Sequence, residues 1–158
     1  MSLLEAVCLQ RAEELIRRLA ALANIAPFEV RLVETQSELG ACSDDAGRIV
    51  ISISPLAFRD DLTLKTTIAH EFIHAVYAQY GTEEAAQILS RLVQQALTLL
   101  KGGCLEEVEG EYWSEEHIAW WFEGIIAALL YPAMEWHNLF SQLLGGSAHG
   151  STTLSRED

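Results

Sequence analysis

Basic side chains are scarce in this chain: 10 lysines and arginines stand against 23 acidic residues, for a formal charge of −13 over 158 residues. A nucleic-acid groove needs clustered cations to displace counterions, so no nucleic-acid partner is expected, and a substrate should be cationic or neutral. Cysteine is sparse too. Cys8, Cys42 and Cys104 are widely spaced and form no CxxC pair, which suggests neither a disulfide framework nor a structural zinc knuckle and reads them as small apolar fillers. The longest apolar run, Gly124 to Tyr131, is far below the roughly 18 residues that span a bilayer. The first residues lack a basic region and are interrupted by Glu5, Gln10, Arg11, Glu13 and Glu14, so they do not read as a signal peptide. A soluble, cytoplasmic protein without a membrane partner is the expectation.

Proline is rare, and each of the three ends a predicted element. Leu3 to Ala23 carries apolar residues at helical spacing and stops at Asn24 and Pro27. Phe28 to Val33 alternates as a half-buried strand, and Leu39 to Ser43 and Arg48 to Ile53 flank Asp44-Asp45-Ala46-Gly47 as a hairpin does. Pro55 follows, and Asp60 to Thr63 offers caps for a helix that Gly81 stops. Thr82 starts another, with a core stripe of Ile88, Leu89, Leu92, Val93, Ala96 and Leu99. Cys104 to Trp113, rich in glutamate, reads as a solvated loop. Ser114 caps a helix that runs through Leu130 to its stop at Pro132, and a last helix spans Ala133 to Leu144. Half of the chain is hydrophobic, enough for one domain with a proper core, placed at 1–144 with 145–158 as a flexible tail.

Within the fourth segment stands His70-Glu71-Phe72-Ile73-His74. Two histidines four residues apart share a helix face about one turn, or 6 Å, apart, so both imidazoles can reach one metal ion. Glu71 beside them can take a proton from a water at the fourth coordination position. The surroundings predict burial: Ile68, Ala69, Phe72, Ile73, Ala75 and Val76 are apolar. Two histidines and a glutamate buried among them need partners, and a zinc ion satisfies all three.

A third ligand is required. Downstream, Glu116-His117-Ile118-Ala119 resembles the ExxA helix of gluzincins, the HExxH peptidases that use a later glutamate. That resemblance implies His70, His74 and Glu116 as zinc ligands and Glu71 as general base. Trp120 departs from it, since these families place Asp, Asn or Glu there as an acceptor for an imidazole. Glu123 competes as ligand, two turns beyond Glu116 on the same helix face, and Glu115 and His117 remain alternatives. Upstream, Leu39 to Val76 resembles SprT-like peptidases in its order of glycine, strand and HExxH helix. The third histidine usual in those proteins is missing here, with no histidine between Ala75 and Glu116. In such proteins a sheet-edge strand pairs with extended substrate, a role that Arg48 to Ile53 would take.

The implied fold is α+β and zincin-like: a small three-stranded antiparallel or mixed sheet packed on an active-site helix and several further helices. The implied activity is zinc-dependent peptide hydrolysis, with Tyr112, Tyr131 or His137 as oxyanion donors by residue type. Two alternatives stand beside it. One is a non-catalytic zincin-fold binding module. The other resembles the regulatory ImmA/IrrE peptidases, which cut one partner protein and whose pattern is partly echoed by Glu116, Ala119, Phe122 and Leu129-Leu130-Tyr131-Pro132.

Overall fold

Helix α1 spans Leu3–Ala23 and closes on itself at its start: Ser2 Oγ accepts the Glu5 N–H at 3.1 Å, and Glu5 Oε1 accepts the Ser2 N–H at 2.9 Å. This reciprocal pair satisfies two of the orphan donors of the first turn. Asn24, with φ 59 and ψ 46, turns the chain left-handed and ends the helix, a conformation that asparagine tolerates better than most residues. The buried stripe Ala12, Leu15, Ile16, Leu19, Ala20 and Ala23 packs on α2. These features belong to a computed structural model that describes residues 2–34, 38–101 and 123–131.

Strands β1 (Glu29–Leu32), β2 (Gly40–Asp45) and β3 (Arg48–Ile53) form one sheet in the order β1-β3-β2. β3 pairs parallel with β1 and antiparallel with β2. Arg48–Ile53 is therefore the central strand, and its expected place at the sheet edge is corrected: the edge beside the histidines is β2. The hairpin turns on Ala46 (φ 55) and Gly47 (φ 86); positive φ at both central residues matches the right-handed twist of the flanking strands.

The two faces of the sheet differ. Val30, Ile51 and Ile53 join the main hydrophobic cluster with α1 and α2. On the opposite face Val50 is only 1% exposed, beneath a charged roof. Arg31 bridges Glu29 at 2.7 Å and Asp45 at 2.9 Å, and Arg48 bridges Glu29 at 2.9 Å, so ion pairs run from β1 to β2 across β3. Arg31 first, and then Arg48, hold the Glu29 carboxyl below its usual range.

Asp60 caps α2, accepting the Thr63 N–H at 2.7 Å and the Thr63 hydroxyl at 2.9 Å. α2 spans Asp61–Lys101 as two rods, divided at Gly81, where φ 81 and ψ 167 are not helical. Burial of the first rod is as its sequence predicts: Ile68, Ala69, Phe72, Ile73, Ala75 and Val76 are all fully buried. Phe72 meets Phe28 edge to face at 5.6 Å between centroids, a favoured aromatic geometry. The second rod buries Ala85, Ile88, Leu89, Leu92, Val93 and Ala96, and Gln95 Nε2 donates to the Leu22 carbonyl at 2.9 Å.

A helical stretch over 123–128, here α3, completes the described core. The N–H groups of Leu129, Leu130 and Tyr131 bond to carbonyls three residues back, the tightening common at a helix end, and Pro132 follows. Among the described residues the architecture is thus mixed α and β: the α-helices α1, α2 and α3 and a small three-stranded mixed sheet. The expected loop at Cys104 to Trp113, the helix over Ala133 to Leu144 and the tail at 145–158 lie outside the described residues. Among those residues no helix is long and apolar enough to cross a membrane.

Candidate functional site

The site forms where β2 presses against the first rod of α2. Gly40 permits this approach: a Cβ there would lie 2.9 Å from Thr67 Cγ2, 3.0 Å from Glu71 Cγ and 3.3 Å from the Ser52 carbonyl oxygen. The strand and helix enclose an open cleft of about 430 Å³, lined by Glu38, Gly40, Ala41, Cys42, His70, Glu71, His74 and Ala78. Among the described residues its acidic lining comes from Glu38 and Glu71. Glu71 is 7% exposed, lines the cleft and stands close to the strand through its aliphatic stem.

His70 and His74 turn their Nε2 atoms toward one another at 3.2 Å. Two nitrogens on one tetrahedral zinc, each bound at about 2.0–2.1 Å, are about 3.3–3.4 Å apart. The pair therefore stands within a few tenths of an ångström of a ligand edge. Without a metal the same distance suits an imidazole-to-imidazole hydrogen bond, with one ring donating and the other accepting. Both uses leave Nδ1 of His70 pointing away from His74.

That second nitrogen faces Glu123. Oε1 of Glu123 lies 3.7 Å from His70 Nδ1, and the residue is 8% exposed. The distance is that of an ion pair, and a closing movement of roughly 0.8 Å would make it a hydrogen bond. Glu123 approaches the ring at Nδ1, away from the Nε2 pair, which is where an orienting partner stands. The sequence marked Trp120 as unable to orient an imidazole. Glu123, three residues later, brings a carboxylate toward His70 Nδ1 without reaching hydrogen-bond distance.

Glu116, the expected third ligand, and its alternatives Glu115 and His117 lie outside the described residues, as do Tyr112 and His137. Among the described residues no group of three or more histidine, cysteine, aspartate or glutamate side chains is placed to hold a metal. Tyr131 is not among the residues that line the cleft. Lys65 Nζ instead sits 3.7 Å above its ring centroid. Lys65 is 5% exposed and bridges Asp61 Oδ2 at 2.9 Å. Burial raises the Asp61 carboxyl, but Lys65 and Arg11 more than offset this and leave it below its usual value.

Three features escaped the sequence reading. Glu38 borders the cleft, which its place next to a predicted strand did not reveal. Gly40, read as part of a strand, is also the point where that strand touches α2. Lys65 is buried, and its one visible signal was the acid-to-base pair with Asp61 one helical turn earlier. Compared with known proteins, the chain matches no protein family, no curated sequence and no solved structure.

Proposed function

We propose that this chain is a zinc-dependent metallopeptidase with a minimal zincin-like core. The observation that carries this reading is the convergence of two imidazole Nε2 atoms, 3.2 Å apart, over a cleft that Glu71 also lines. A base beside a metal-ligand pair has no use in a purely structural site, and the strand at the cleft wall suits an extended peptide. Glu116 completes the ligand set in this proposal, on the strength of the ExxA resemblance.

A bound zinc ion would polarise the scissile carbonyl and acidify the attacking water. Glu71 receives the proton of that water and returns it to the leaving amine, as one carboxylate acting first as base and then as acid. The carboxylates of Glu38 and Glu71 at the cleft favour a cationic or neutral peptide over an acidic one. β2, and not β3, supplies the pairing edge. Leu39 bonds inward through its carbonyl to the Ser54 N–H, so antiparallel alternation turns the main-chain groups of Gly40, Cys42 and Asp44 outward, toward a substrate strand.

Glu71→Gln tests the mechanism. Zinc content should be retained while kcat/KM for a cleaved peptide falls by about 10²–10⁴-fold, the usual contribution of a general base. Undiminished cleavage by this variant would refute the assignment.

A further inference from the structure

Lys65 is the one buried cation among the described residues, and the proposed chemistry does not use it. It stands on α2 five residues before His70. Its ammonium is held between the Asp61 carboxylate at 2.9 Å, on its own helix, and the face of Tyr131 at 3.7 Å, at the end of the α3 segment. Tyr131 lies eight residues after Glu123, about 12 Å along a helical path. The α3 segment is therefore held to α2 at two places: by Tyr131 on Lys65, and by Glu123 on His70 at 3.7 Å.

We propose that the Asp61–Lys65–Tyr131 clamp is a positioning device that sets α3 so that Glu123 meets His70 Nδ1, and thereby fixes the orientation and tautomer of His70. Leu129 and Leu130 are nearly fully buried and supply adhesion, but apolar packing alone tolerates sliding. A cation over a ring face fixes the end of the segment at one point. Fixing that point fixes where Glu123 falls. With Nδ1–H directed at Glu123, the Nε2 lone pair of His70 faces His74, the arrangement that a metal pair requires and that an imidazole hydrogen bond also uses.

The zinc part of the test rests on the metallopeptidase reading, whereas the tautomer part does not. In the full-length metal-free protein, ¹⁵N chemical shifts of the imidazoles should show His70 as the Nδ1–H form. Lys65→Met, Tyr131→Leu and Glu123→Gln should each erode that preference, while Lys65→Arg and Tyr131→Phe, which keep a cation and a ring face, preserve it. Zinc affinity, measured by competition with a chromophoric chelator, should fall by about 10–100-fold in Glu123→Gln and by about fivefold in Lys65→Met. The double variant should be no weaker than Glu123→Gln alone, because Lys65 acts through Glu123. Losses that add, or His70 shifts unchanged in both Lys65→Met and Tyr131→Leu, would overturn the clamp. A wild-type chain that binds no zinc yet shows the tautomer response would support the clamp and sink the metallopeptidase reading.

Discussion

Replacing Gly40 by alanine inserts one methyl group between β2 and α2. Carbon atoms rest about 3.5–4.0 Å apart at optimal contact, whereas the new Cβ would meet Thr67 Cγ2 at 2.9 Å and Glu71 Cγ at 3.0 Å. The clash is not easily relieved. Thr67 is β-branched and stiff at χ1, and the third neighbour, at 3.3 Å, is the main-chain oxygen of Ser52. Overpacking of this kind costs about 1–3 kcal/mol, against which alanine recovers about 0.4–1 kcal/mol by restricting the unfolded chain. The clash wins, with a net loss of about 1–2 kcal/mol and a fall in Tm of about 2–8 °C for a domain of this size. Glu71 should be pushed from its place as well, so peptide cleavage should fall further than zinc binding, to which the two histidines contribute independently. Gly47→Ala is the control: no atom lies within 4 Å of its added Cβ, and its cost arises from φ +86 alone, leaving cleft chemistry unchanged. Thermal unfolding of both variants decides the matter. A Gly40→Ala protein as stable as wild type would show that the strand is not seated against the helix that carries His70 and His74.

Acid should weaken the fold. The Thr63 N–H and hydroxyl hold the Asp60 carboxyl below its ordinary 3.8, and Arg31 and Arg48 hold that of Glu29 below 4.5. A carboxyl with a folded value below its unfolded one contributes stability that is complete above the unfolded value and is lost as pH falls through the folded one. Tm should therefore decline from about pH 4.5 downward, and Asp60→Asn, which keeps a capping oxygen without titrating, should flatten part of that decline; a Tm unchanged between pH 5 and 3 would contradict it. Glu38 predicts substrate preference: among peptides of one backbone, those with lysine or arginine near the scissile bond should be cleaved faster than acidic ones. Glu38→Lys should narrow or reverse that ratio, and a ratio indifferent to the change would exclude Glu38 from recognition.

Local chemistry was legible in the sequence, and lateral order was not. Asn24 ended α1 as expected, Gly81 interrupted the helix pattern, and Ala46-Gly47 turned the hairpin, because each of these depends on the conformational range of one or two residues. Strand order depends on contacts that alternation does not encode. β1 skips β2 and joins β3 in parallel, so the strand expected at the edge lies in the middle. A signal was present: Ile49-Val50-Ile51 is a continuous apolar run, as suits a strand covered on both faces, whereas Gly40 to Asp45 ends in acids, as edges often do. His70, Glu71 and His74 were readable because helix geometry alone brings them together. Glu123 was visible only as a ligand-type residue on a helix; which ring nitrogen it would face depends on how α3 docks, and that is a tertiary fact.

The break at Gly81 has a consequence for how the molecule opens. A helix of 41 residues with an unbroken ladder would transmit fraying from its end through every turn toward the histidines. With φ 81 at one residue, the ladder is cut between the two rods, and each becomes a unit that can lose and regain its hydrogen bonds on its own. Excursions of the second rod can then be frequent without loosening the turn from His70 to His74. In hydrogen exchange the boundary between slow and fast amides should fall at this glycine, with protection of the motif governed by the sheet and α1 instead of by the length of the helix that carries it.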